Sequence, residues 1–192
     1  MRRKTIALSC LVCLALLSNL AFAADVPSDA QKRTRLGKYV TAVEAYAMYL
    51  KDKDHVTIID VRTPEEYDLV GHPAMARNIP VMLRTGQFDP AKKNYGLAPN
   101  RDFVDRVKAV AGKSDLLVVL CRSGQRSAAA ANKLAEAGFT DVWSMVDGFE
   151  GEKVADKDSP DYGKRVRDGW KNTGSPWTYD LDPALVYIVP VN

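Results

Sequence analysis

One stretch of the sequence gathers the residue types that nucleophilic chemistry needs: Cys121-Arg122-Ser123-Gly124-Gln125-Arg126-Ser127. It follows directly on the apolar run Leu116-Leu-Val-Val-Leu120 and leads into the alanine-rich segment from Ser127 to Ala137. A strand therefore ends at the cysteine, the chain turns where Gly124 is free to take dihedrals closed to other residues, and a helix begins at about Arg126. Successive backbone N–H groups would face inward around the sulfur, an anion-binding nest at a helix N-terminus. Arg122 and Arg126 add two positive charges. Each of these effects favours thiolate over thiol and would hold an anionic sulfur donor, then the charge of a persulfide. An inert cysteine closing a hydrophobic strand is a common arrangement too. Two arginines, a glycine and a helix start so close together favour the reactive reading.

The elements that must position this loop follow from the rest of the chain. Thr41-Ala-Val-Glu44 is a capping box, with Val43, Tyr46, Ala47 and Leu50 at helical spacing behind it. Val56-Thr-Ile-Ile-Asp-Val61 reads as a strand buried on both faces, and Thr63-Pro64-Glu-Glu66 opens a short helix with Pro64 at its first position. Ile79-Pro80-Val81 predicts a short strand, and the Gly- and Pro-punctuated stretch from Leu83 to Pro99 a loop. Arg101 to Ala111 predicts a helix closed by Gly112, Ser127 to Ala137 one stopped by Gly138, and Val142 to Val146 the next strand. Strands alternating with helices imply an α/β fold, an open parallel sheet with helices on both faces. Such sheets place their sites at the carboxyl ends of the strands, where Cys121 stands.

Composition narrows the partners. Arg2, Arg3 and Lys4 precede an uncharged apolar stretch from Thr5 to Leu17, and Ala21-Phe22-Ala23 gives a small-x-small pattern. Residues 1–23 thus read as a signal peptide cleaved before Ala24, too short in its apolar part to serve as a bilayer span. The expectation is a periplasmic or secreted protein with no membrane association after cleavage. The full chain carries 27 Lys and Arg against 24 Asp and Glu; three of the basic residues and none of the acidic ones lie in the leader, which leaves a mature charge of zero. Nothing there suggests nucleic acid as a partner. Cys10 and Cys13 fall in the leader, so Cys121 is the one mature cysteine and has no internal disulfide partner. An unpaired thiol in an oxidising compartment needs a use.

At this point the sequence resembles the rhodanese family, thiosulfate sulfurtransferases of a single-domain, exported kind. Cys121 to Arg126 matches the family's six-residue active loop. Ile59-Asp60-Val61-Arg62, Glu66-Tyr67, Gly71-His72 and Asn78-Ile79-Pro80 resemble its second characteristic stretch, and Val142 to Gly148 extends the likeness, which spans about residues 36 to 150. The resemblance implies a rhodanese-like fold, with Cys121 accepting sulfane sulfur from thiosulfate or a similar anion and passing it to a thiophilic acceptor. Arg122, Ser123, Gly124, Gln125, Arg126 and Ser127 would bind the donor. No cofactor is implied, and two histidines with one cysteine give no metal ligand set. Asp60, Arg62 and Glu66 are expected to be structural supports, Arg62 pairing with Glu66 as acceptor, rather than acid or base groups. His72, after a glycine, reads as a structural hydrogen-bonder. Departures occur at Pro73 to Arg77 and after Phe149, where a closing helix is usual.

Two other readings stand beside this one. Phosphatases and arsenate reductases of related fold place an arginine six positions after the cysteine; here Arg126 comes at five and Ser127 at six, a loop better sized for sulfur. A partner-binding module without activity would be expected to lose the cysteine, and this chain keeps it. The domain plan is then a leader over 1–23, an extended arm over 24–38, a rhodanese-like domain over 39–150, and a C-terminal extension over 151–192. In that extension Tyr162, Val166 and Trp170 recur every fourth residue, which predicts a helical stripe ending near Gly174 and packed on the sheet.

Overall fold

The computed structural model describes residues 23–188. The expected leader lies, but for Ala23, outside them. Among the described residues no helix is long and apolar enough to cross a membrane.

In chain order the elements are β1 (Tyr39–Val40), α1 (Ala42–Lys51), β2 (Val56–Asp60), α2 (Pro64–Val70), β3 (His72–Pro73), β4 (Arg77–Asn78), β5 (Met82–Asp89), β6 (Asn94–Pro99), α3 (Phe103–Lys108), β7 (Leu116–Leu120), α4 (Gln125–Glu136), β8 (Val142–Met145) and β9 (Trp177–Thr178). Five strands form one parallel sheet in the order β1-β8-β7-β2-β4. β7 lies at its centre, with Val118 opposite Ile58 on one side and Trp143 on the other. Both side-chain faces of β7 are therefore buried, which explains an uninterrupted apolar run rather than an alternating one. Leu117, Val119 and Cys121 face a core shared with Phe103 and Val107 of α3 and Ala130, Ala131 and Leu134 of α4. Val118 and Leu120 face the opposite core, filled by Ala42, Ala45 and Met48 of α1 together with Phe149 and Trp170.

Local chemistry sets the element boundaries. Thr41 and Glu44 form the expected capping box on α1, and Thr63 and Glu66 form a second one on α2 with Pro64 at its first position. Each satisfies amides that a helix start leaves free. α4 is capped by Gly124 in the left-handed region and followed by Gly138, also at positive φ.

Three expectations are corrected. The stretch from Leu83 to Pro99 is a hairpin of β5 and β6, not a loop. Its glycines read as breakers in sequence, yet Gly96 packs within the ladder, where a Cβ would lie 2.8 Å from Thr85 Oγ1. The ladder bridge expected at Ile79-Pro80-Val81 forms at Arg77–Asn78 instead, because Pro80 has no N–H to give; Ile79 and Val81 still donate to Asp60 and Val61 carbonyls at 3.0 and 3.2 Å. The stripe at Tyr162, Val166 and Trp170 is not an α-helix; one 3-10 turn forms over Trp170–Asn172. Tyr162 and Val166 are exposed, Trp170 alone is buried, and the chain there runs as turns through Gly163 and Gly169 at positive φ. The extension nonetheless enters the core through Trp170, and Trp177 pairs antiparallel with Pro73.

Candidate active site

Cys121 stands one residue past the carboxyl end of β7 and is 2% exposed. The Gly124 amide donates to its sulfur at 3.2 Å. Gly124 has φ +105°, and a Cβ on it would run into the Val146 carbonyl oxygen, so only glycine closes this turn. The loop rests on the exit from β8: Phe149 N–H donates to the Cys121 carbonyl at 2.7 Å and Glu150 N–H to the Arg122 carbonyl at 2.9 Å. Gly148 passes directly beneath, where a Cβ would lie 2.6 Å from backbone atoms of Cys121, Arg122 and Ser123. The cysteine loop is thus held by backbone on two sides before any side chain contributes.

The residues expected to bind a donor do not share one environment. Arg122 is exposed and lines an open cavity beside the loop; Ser123 is half-buried. Gln125 is exposed and donates to Asp29 of the N-terminal arm at 3.1 Å. Ser127, in the first turn of α4, is fully buried, and its hydroxyl has no hydrogen-bond partner among the described residues. Arg126 gives both terminal nitrogens to the two carboxylate oxygens of Glu66 at 2.6 Å each. This bidentate pair fixes α4 to α2 across the site.

The partner assigned to Arg62 is corrected by this geometry. Arg62 and Asp60 are both fully buried and pair with each other through Nε at 3.0 Å and Nη2 at 2.5 Å; Glu66 offers Arg62 only its backbone carbonyl, at 3.4 Å. Two residues apart on the end of one strand, Asp60 and Arg62 meet sooner than Arg62 can reach the Glu66 carboxylate, which its own capping box and Arg126 already occupy. Arg62 also donates to the Gly71 carbonyl at 2.8 Å and lies 4.2 Å over the Phe149 ring. Since Phe149 donates to the Cys121 carbonyl, the buried pair supports the loop through one intervening residue. His72 accepts the structural role expected of it, with Nδ1 at 3.0 Å from the Tyr67 carbonyl and its ring stacked on Tyr67 at 3.6 Å.

Burial alone would push the Glu66 carboxyl up, but the hydrogen bonds and charge of Arg126 outweigh it and hold the carboxyl below its ordinary range. The same partnership raises Arg126 against the opposing effect of burial. A carboxylate whose folded pKa is depressed contributes stability in full above its unfolded pKa, and loses it as pH falls through the folded value. Glu66→Gln should therefore lower stability at neutral pH by about 2 kcal/mol, the scale of a charged hydrogen-bonded pair. Urea titrations across pH should show that gap closing as pH drops below the ordinary glutamate range of about 4.3. A gap unchanged by pH would contradict the assignment of the pair.

Sequence reasoning missed the arm's part in the site. Lys32 Nζ donates to the Val146 carbonyl at 2.8 Å and pairs with Glu152, so its stem packs beside Gly124 from outside. The arm's polar composition carried no core pattern, and only the tertiary fold brings Lys32 to the loop. Asp147, next to Gly148, accepts from the Ala42 and Gly169 amides at 2.9 and 3.2 Å; burial pushes its carboxyl up to about 6 against the lowering effect of these amides. It joins α1, the loop floor and the extension at one carboxyl group.

The rhodanese-like domain profile matches residues 41–153, more than half of the chain. The chloroplastic thiosulfate sulfurtransferase 16 of Arabidopsis thaliana is 41% identical over 91 residues, covering 47% of this chain and 68% of that protein. A senescence-associated protein of Raphanus sativus is 37% identical over 91 residues; the match covers 47% of this chain and 45% of that protein, so the chain spans about half its length. An uncharacterized protein of Rickettsia conorii is 30% identical over 142 residues, covering 73% of this chain and 96% of its own. Among solved structures, one from M. tuberculosis is similar with a TM-score of 0.56 at 26% identity, over 74% of this chain and 100% of that one.

Proposed function

The chain belongs to the rhodanese-like domain family of sulfurtransferases, and on that premise we propose that it carries sulfane sulfur on Cys121 as a persulfide. The observation that carries this reading is the sulfur at the end of the central strand, taking the Gly124 amide at 3.2 Å inside a loop closed on glycine. In the first half-reaction the Cys121 thiolate attacks the outer sulfur of thiosulfate. A Cys–S–S bond forms, the S–S bond of the donor breaks, and its electron pair leaves with sulfite. In the second half-reaction a thiophilic acceptor attacks the outer persulfide sulfur and Cys121 leaves as thiolate. Neither step requires a proton to be moved, so buried Asp60 and Arg62 need no acid–base role.

Arg122, exposed and without an acidic partner among the described residues, can meet the incoming anion, while Arg126, engaged with Glu66, acts by holding the loop to α2. The outer persulfide sulfur carries the charge that the loop amides and the N-terminus of α4 stabilise. Cys121 itself is buried, which keeps water and stray oxidants from its own sulfur.

Steady-state formation of thiocyanate from thiosulfate and cyanide tests the reading. Wild-type protein should turn over, and Cys121→Ser should show no rate above the uncatalysed one. Equal rates from the two proteins would remove Cys121 from the mechanism, and a wild type without turnover would leave a partner-binding module.

A further inference from the structure

The N-terminal arm reaches the cysteine loop with one charged side chain. Asp29 caps a short 3-10 turn over Ala30–Lys32 by accepting from the Gln31 amide, and that turn packs against α4. Two further bonds hold the arm to the same helix. The Arg35 amide donates to the Asn132 side-chain oxygen at 2.8 Å, and the Asn132 side chain donates to the Arg33 carbonyl at 3.3 Å. The Lys32 side chain, only 12% exposed, is left pointing inward. Its ammonium donates to the Val146 carbonyl at 2.8 Å, and no other described residue donates there.

The Val146 carbonyl oxygen is pressed against Gly124: a Cβ on that glycine would come within 2.3 Å of the oxygen and 3.1 Å of the Lys32 stem. Gly124 in turn supplies the amide that reaches the Cys121 sulfur at 3.2 Å. A series of contacts therefore runs from the ammonium through one carbonyl and one glycine to the nucleophile. The negative end of that carbonyl dipole faces a loop that must hold negative charge, and the ammonium offsets it. The cavity of about 280 Å³ on this side of the loop is lined by Asp25, Asp29, Asp147 and Glu152, and Lys32 is the one cation among its lining residues. Elsewhere around the loop Arg126 is engaged by Glu66 and Arg62 by Asp60, so neither can stand in for Lys32 at Val146.

We infer that Lys32 is a positioning residue for sulfur loading: by holding the Val146 carbonyl it fixes the turn at Gly124, keeps the Gly124 amide on the sulfur, and offsets the carbonyl's charge as the persulfide anion forms. This inference rests on the persulfide reading of Cys121. Lys32 lies outside the span of the rhodanese-like match, and it acts through Val146 and Gly124 rather than on the sulfur itself. The arm is then part of the machinery and not only a tether along α4.

Single-turnover loading from thiosulfate, followed by intact mass on protein that retains its arm, tests the inference. Lys32→Met keeps the stem and removes the ammonium. Its limiting loading rate should fall about tenfold, the scale of one hydrogen bond to a charged group. The thiosulfate concentration for half-saturation should stay within about twofold of wild type, because Arg122 is untouched. Lys32→Gln, a second neutral replacement, should lose rate to a similar degree, and Lys32→Arg, which can still donate with its charge, should regain most of it. Asn132→Ala loosens the arm without touching Lys32 and should load at the wild-type rate. Neutral variants that load at the wild-type limiting rate would overturn the inference, as would a loss confined to half-saturation or an equal loss in Asn132→Ala. Failure of the wild type to load at all would instead count against the persulfide reading itself.

Discussion

Replacing Trp170 by alanine should lower stability by about 3–5 kcal/mol, the usual scale for emptying a core of an aromatic side chain. Trp170 is fully buried although it comes from the extension, and it fills the core on the α1 side of the sheet with Val40, Ala45 and Met48. Its ring meets Tyr46 edge-on at 5.5 Å, and its indole N–H donates to the Pro176 carbonyl at 2.9 Å. The alanine variant loses both and leaves a void between β1, α1 and the loop floor. For a domain of this size the melting temperature should drop by roughly ten degrees. Sulfur transfer per folded molecule should hardly change, because the Trp170 backbone N–H still donates to the Gly148 carbonyl. A variant that melts normally but transfers poorly would assign the extension to the site instead.

Asp60→Ala should be as damaging, by another route. It leaves the Arg62 guanidinium fully buried without its counter-charge, a situation that costs about 3–5 kcal/mol. The remaining partners, the Gly71 and Glu66 carbonyls, are neutral. Asp60→Asn, which keeps most of the shape, should lie between wild type and alanine. The double variant Asp60→Ala with Arg62→Met removes both charges and should be more stable than Asp60→Ala alone. Denaturant unfolding of wild type, Asp60→Ala, Arg62→Met and the double variant gives the cycle directly. Double and single variants of equal stability would mean that the pair's charges do not matter.

The parts of this molecule that were legible in its sequence share a physical signature. β7 is a continuous apolar run because both its faces are buried, and α1 and α2 announce themselves through Thr41 with Glu44 and through Pro64 at a first helical position. The cysteine loop was legible because Gly124, Arg126 and the strand-to-helix change lie within a few residues of Cys121. Contacts between distant segments were not legible. Arg126 and Glu66 meet across sixty positions, and no local pattern distinguishes Glu66 from Glu65 as the partner. The hairpin was hidden because Gly86, Pro90, Gly96 and Pro99 are breakers by composition, while its pairing depends on cross-strand contacts such as Phe88 with Tyr95. In the extension, spacing of four residues mimicked a helix, yet Gly163 and Gly169 at positive φ fold the chain into turns, and of Tyr162, Val166 and Trp170 only Trp170 reaches the core.

The central claim is covalent, and intact mass spectrometry addresses it most directly. Protein incubated with excess thiosulfate and then freed of it should gain the mass of one sulfur atom, located by fragmentation on Cys121. Cyanide should remove that mass and yield thiocyanate in equal amount, and Cys121→Ser should gain nothing. A wild-type protein that never acquires the sulfur, or a serine variant that acquires it equally, would contradict the account.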